Sequence, residues 1–195
     1  MIISDVVNLA KSSFLYNLPV AKNDNTILMF TYLGLIELYK RFNLSIKVET
    51  VETNTLTSIY DLRSPDVNVV FEVYNSKGRK LQKALLAGDN SYDYKQLNYR
   101  SFLLTKPQDE ILYFVYKASP AMITMDSPLD LPMDMLNVLL DYIAYKGHST
   151  INKDGTNESS IYYSRFDKGC IELENRGYVV DLSTAVLPIQ FKGFV

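Results

Sequence analysis

The spacing of apolar residues changes twice along this chain, and that change limits the folds open to it. From Ser4 to Phe42 the apolar positions recur at helical intervals, from Ser45 to about Lys117 they alternate as in strands, and from Pro132 to Arg176 the helical interval returns. Two helical stretches that flank a strand-rich one can share a core only if the middle segment projects from between them. The fold class expected is therefore α+β: a small bundle of about four helices with an inserted antiparallel β-lobe and an extended C-terminal arm. The divisions fall at 1–44 with 130–177 for the bundle, 45–129 for the lobe and 178–195 for the arm. A chain of 195 residues suffices for one good core with a modest satellite.

The first helix is expected over Ser4 to Tyr16, with Val6, Leu9, Ala10 and Phe14 inward and Ser4 as its cap. The second, Thr26 to Phe42, carries one apolar row at Leu28, Tyr32, Leu35, Tyr39 and Phe42 and another at Ile27, Phe30 and Leu38, so it is buried on more than one side. Five or six strands follow. They include the run Val67 to Tyr74, a hairpin turn at Ser76-Lys77-Gly78 leading into Arg79-Lys80-Leu81, and strands over Tyr99 to Leu104 and Ile111 to Lys117. The polar, Tyr-rich stretch Gly88 to Asn98 reads as a loop. Pro132 suits the first turn of a third helix that reaches about Lys146 with Met135, Val138, Leu139, Tyr142 and Ile143 on one face. A fourth helix, Ser159 to Arg176, bears Tyr162, Phe166, Cys170 and Leu173 and stops at Gly177. The last residues, Tyr178 to Val195, are apolar and aperiodic, which predicts docking on the chain's own domain or on a neighbour.

Composition narrows function mostly by exclusion. A net charge of -2 supplies no basic surface for gripping a phosphate backbone, so tight nucleic-acid binding is not expected. The richest apolar stretch, Ile27 to Tyr39, falls short of the roughly 20 residues that span a bilayer, and the opening Met-Ile-Ile-Ser-Asp lacks the features of a secretory signal. A single cysteine allows no internal disulfide, which suits a reducing cytosol. His148 is the only histidine; with Cys170 and Asp141 it could form a Cys-His pair, but no local signature frames these residues. Asp126, Asp130 and Asp134 match no calcium loop and read as favourable charge ahead of a helix N-terminus. Asn157-Glu158-Ser159 matches a glycosylation sequon without a secretory context. With no phosphate-binding glycine loop or nucleophile elbow present, the sequence assigns no catalytic, cofactor-binding or metal-ligating residue, and a structural subunit is expected rather than an enzyme. The 15 tyrosines suit half-buried strands and protein interfaces equally.

Several phrases occur in a telling order: Tyr113-Phe114-Val115-Tyr116-Lys117-Ala118-Ser119-Pro120, then Met122-Ile123-Thr124, Asp130-Leu131-Pro132, and Leu139-Leu140-Asp141-Tyr142-Ile143-Ala144-Tyr145-Lys146. A later one, Ser160-Ile161-Tyr162-Tyr163-Ser164-Arg165-Phe166, is aromatic and carries an arginine. In these phrases and in its paired N-terminal helices, the chain resembles the head-to-tail adaptor proteins of short-tailed double-stranded DNA bacteriophages, the tail tubular protein A type and related ring proteins of crAss-like phages. The likeness spans roughly residues 4 to 177.

The resemblance implies a virion protein of the neck or tail region, assembled in the host cytoplasm. It implies a homo-oligomeric ring, commonly a dodecamer, seated under the portal protein and receiving the next tail or ring protein, with double-stranded DNA passing through without tight binding. It implies no cofactor and no membrane. The rival expectation is a non-enzymatic binding module or assembly chaperone that uses the apolar C-terminal arm.

Overall fold

The computed structural model describes residues 1–84, 92–150 and 157–178. They form two compact units. One joins residues 1–44 to the described residues from 120 onward, and the other holds the described residues of 45–119.

The helical unit contains α1 (Ile3–Ser13), α2 (Asp24–Arg41), α3 (Leu136–Ser149) and α4 (Asn157–Asn175), with short 3-10 turns at Pro19–Lys22 and Met133–Met135. α1 does not start on a Ser4 cap. The Asp5 carboxylate accepts the Ile2 N–H at 3.0 Å, and the next two N–H groups, of Ile3 and Ser4, donate to the carbonyls of Ser127 and Met125, each at 2.9 Å. Residues 125–129 thus satisfy a helix end that would otherwise have unpaired donors. That tie draws 120–129, assigned to the lobe by sequence pattern, into the helical unit. α2 is capped by Asn23, whose side chain accepts the Thr26 N–H at 3.1 Å. α4 ends at Gly177, whose φ of +86° lets Tyr178 N–H turn back to the Leu173 carbonyl at 3.2 Å.

The core of this unit comprises Ile3, Val6, Val7 and Ala10 from α1, Ile27, Leu35 and Leu38 from α2, Val138, Leu139, Leu140, Tyr142 and Ile143 from α3, and Phe166, Cys170 and Leu173 from α4. α2 and α3 approach closely at Gly34, where a Cβ would stand 2.6 Å from Leu139 Cδ1 and 3.0 Å from Tyr142 Cδ1. Arg41, at the end of α2, donates to Asp167 at 2.7 Å and to Glu174 at 2.5 Å, so one guanidinium holds two turns of α4.

The β-unit has two three-stranded antiparallel sheets. In the first, β6 (Glu110–Ala118) lies between β1 (Ile46–Thr53) and β3 (Val67–Asn75); in the second, β5 (Ser101–Leu104) lies between β2 (Ile59–Asp61) and β4 (Tyr94–Gln96). The inner faces meet through Leu62, Val70, Val73, Tyr94, Phe102, Leu112, Phe114 and Tyr116. Phe102 joins the two sheets, its ring centroid 4.8 Å from that of Phe114. β4 lies inside the stretch expected to be loop. Its three residues bury only Tyr94, which leaves no alternation for a pattern to find. The turn after β3 forms as expected, with Gly78 at φ +76° and the Asn75 side chain accepting from the N–H groups of Lys77 and Arg79. Beyond it the chain returns only as a bridge, Lys80 opposite Tyr74.

Residues 85–91, 151–156 and 179–195 lie outside the described residues, and with them part of the loop expected over Gly88 to Asn98, most of that expected over Ser149 to Asn157 and nearly all of the expected arm.

Candidate functional site

Of the titratable residues the sequence singles out, His148 has the most defined setting. It stands in the last turn of α3, nearly buried, with Nδ1 2.9 Å from a Glu158 carboxylate oxygen of α4 and Nε2 3.2 Å from the Phe14 carbonyl beyond α1. Tyr162 lies against the imidazole, ring centroids 4.9 Å apart, and meets Phe14 edge to face at 6.0 Å. These residues, with Tyr16, Ile161 and Arg165, line a cleft of about 420 Å³, and the Arg165 guanidinium sits 5.5 Å from the Tyr162 ring centroid. The imidazole thus ties the ends of three helices, with both ring nitrogens engaged.

The fold does not bring Cys170 to that cleft. Twelve residues of α4 separate it from Glu158, about 18 Å along a helix axis. Its thiol is fully buried, and burial is the main cause of a pKa raised to about 11, which suppresses the nucleophilic thiolate. Asp141 stands two turns of α3 before His148, beside the Asp134, Asn137 and Arg165 that line a separate cleft. Burial raises its pKa, and the Arg165 charge opposes the rise. His148, Cys170 and Asp141 accordingly do not converge on one site, although Arg165 borders the clefts of both His148 and Asp141.

The three aspartates ahead of α3 also diverge. Asp130 accepts the Tyr39 hydroxyl at 3.2 Å, Asp134 accepts that of Tyr178 at 2.9 Å, and Asp126 sits in a turn closed by Ser127 N–H on the Thr124 carbonyl. Burial, then the Asp130 charge, pushes the Tyr39 hydroxyl up to about 12. Among the described residues, no three His, Cys, Asp or Glu side chains gather as a metal ion would require.

Apolar surface is the more informative feature. Beside α2 runs a groove of about 250 Å³ lined by Leu35, Tyr39, Pro120, Ala121, Met122, Ile123, Ser127, Pro128 and Asp130. Met122 is 83% exposed, and Met29, farther along α2, is 56% exposed. In the sequence, α2 is apolar nearly all round, which for a globular chain signals cover on every side; its inner side is covered by α1 and α3. The groove itself was not legible, because Pro120 to Ile123 show no period that would assign them to a helix neighbour. The aromatic positions of α3 and α4 form a second feature. Lys146 Nζ lies 5.4 Å and 5.0 Å from the Tyr142 and Tyr145 ring centroids, and Tyr145 meets the half-exposed Tyr163 at 5.1 Å. No described helix is long and apolar enough to cross a membrane.

No family model matches the chain, and no curated protein matches it in sequence. Among solved structures it is matched with a chain of the "Neck of empty GTA particle computed with C6 symmetry". That match has 10% identity, covers 85% of this chain and 91% of the other, and has a TM-score of 0.31, too low to carry an argument about fold or role.

Proposed function

We propose that this chain is a structural subunit of a bacteriophage neck, forming a head-to-tail adaptor ring between the portal and the next tail or ring protein. One observation carries the reading: a helical unit is assembled from both sides of a β insertion, with the phrases of the adaptor-like sequence at its structural joints. Tyr113 to Ala118 complete the central strand β6, Pro120 opens the segment that returns to the helices, Leu131-Pro132 precede the turn into α3, and Tyr142 to Lys146 lie within α3. The exposed apolar groove and the tyrosines of α3 and α4 offer surface of the kind subunit contacts use. A closed ring needs two different patches per subunit, each meeting the other kind on the next copy.

In this reading the helical unit forms the ring body, while the β-unit and the C-terminal arm meet neighbours and the next tail component. A slightly acidic chain suits a conduit that DNA traverses without being held. No catalytic step and no cofactor form part of it. Electron microscopy of the purified protein, alone and mixed with portal protein, tests the proposal. Rings alone or on portal are expected; a monomer that ignores portal would sink it, and binding of an unfolded client by that monomer would favour the chaperone instead.

A further inference from the structure

We infer that the groove beside α2 is the socket for the C-terminal segment, residues 179–195, of an adjacent copy of this chain. The inference rests on the ring reading above and names the contact that would close such a ring.

The socket is apolar, with Leu35, Pro120, Ala121, Met122, Ile123 and Pro128 as its walls, and polar chiefly at Asp130 and Tyr39. By helix spacing, Tyr32 and Ile36 extend its rim along α2, one turn from Leu35 and Tyr39. Flexible, polarisable methionine at such a rim adapts to an inserted chain. A volume of about 250 Å³ holds a few side chains, not a helix. The segment after Tyr178 supplies a short apolar run to match, Val186-Leu187-Pro188-Ile189, in which proline disfavours helix at the preceding residue. Lys192 is its only cation, and Asp130 is the one acid on the socket wall among the described residues.

Ring closure, not reach, selects the neighbouring copy, because an occupant from the same chain would join no two subunits. Tyr178 is fixed where the segment begins, its hydroxyl donating to Asp134 and its N–H to the Leu173 carbonyl. Asp134 is four residues from the socket's Asp130, at most about 14 Å of chain, whereas Leu187 is nine residues beyond Tyr178, roughly 30 Å when extended. A unit of about 100 residues has a radius of gyration of about 13 Å and so an outer radius of about 17 Å, which puts touching copies roughly 34 Å apart between centres. A tether of up to about 30 Å spans the gap to a touching copy as well as to its own socket, and ring closure requires the first.

The test uses full-length chains in a Cys170→Ala background, one carrying Met122→Cys and another Leu187→Cys, joined by a short bismaleimide. Met122 is largely exposed, so its substitution leaves the core untouched. A covalent dimer is expected when the two variants are mixed and absent when either is treated alone. If a chain carrying both cysteines closes only on itself, the segment occupies its own socket and the inference is overturned. Absence of any cross-link while micrographs still show rings overturns the socket and leaves the adaptor reading standing. Absence of cross-links, rings and portal binding together overturns both. As an independent measurement, truncation after Tyr178 should weaken self-association at least tenfold, with the added 179–195 peptide slowing hydrogen exchange across 121–130; unchanged association would also count against the socket.

Discussion

The contact at Gly34 sets two residue-scale effects against each other. Alanine is favoured over glycine inside a helix by about 1 kcal/mol, but a Cβ here meets Leu139 and Tyr142, both buried, and overpacking a core costs about 1–3 kcal/mol. Gly34→Ala should therefore lose about 1 kcal/mol in urea unfolding, and Gly34→Val, which gains less propensity and adds more volume, should lose more. A stabilised alanine variant would mean that α2 and α3 are farther apart than described. Cys170 makes a second prediction, with a defined sign. Unfolded, the thiol ionises near pH 9; folded, burial holds its proton to about pH 11. Between those values the unfolded chain binds fewer protons, so stability is fully present below pH 9 and falls as pH rises towards 11, at no more than about 1.4 kcal/mol per pH unit. Tyr39 and Tyr142, whose pKa values burial raises to about 12, extend the loss above pH 10. The urea midpoint should hold steady to about pH 8.5 and then decline, with Cys170→Val flattening the curve between pH 9 and 10. A midpoint that does not move with pH would show that the thiol is reached by water.

The ends of elements decided how much could be read before the structure. α2 is the more legible case: its apolar rows mark Thr26 to Phe42, and although the helix begins two residues earlier at Asp24, its cap is a side chain, Asn23, whose removal by Asn23→Ala should cost about 1 kcal/mol in urea unfolding. α1 shows the opposite. Ser4 looks like a cap by residue type, yet the helix already begins at Ile3, and the N–H groups of Ile3 and Ser4 donate to the carbonyls of Ser127 and Met125, more than 120 residues away. A backbone acceptor has no residue type, so no pattern in the sequence announces it. The turn at Asn75 to Arg79 was readable because only glycine takes a positive φ cheaply at Gly78. β4 was not, because it is held by pairing with β5 through backbone groups and one buried ring. For the same reason the sequence named His148, Cys170 and the aspartates as residues of interest but could not show that they stand apart. Pairing partners, caps and groove walls come from distant segments, whereas periodicity records only what each segment does with its own side chains.

At the scale of the whole molecule, the β-unit begins and ends in one ladder. Ile46 pairs with Lys117, and the Ala118 N–H donates to the Ser45 carbonyl at 2.8 Å, so the chain enters and leaves this unit through neighbouring residues. An insertion whose ends already touch adds little closure entropy to the host it interrupts, and removing it leaves a gap that a few residues span. Its own core of Phe102, Phe114, Tyr94 and Tyr116 lies between its two sheets and uses no residue of the helical core. At about 75 residues it is above the size at which isolated domains need disulfides or metals to fold. Residues 45–119 expressed alone should therefore unfold cooperatively in urea, and a chain in which a short Gly-Ser linker replaces them should retain the helical circular dichroism of residues 1–44 and 120–195. Loss of structure in both pieces would show that the insertion is energetically one with its host. If the helical unit is the ring body, the linker-joined chain should still sediment as an oligomer while failing to recruit the next tail component. A monomeric linker-joined chain beside an oligomeric parent would move the subunit contact onto the β-unit.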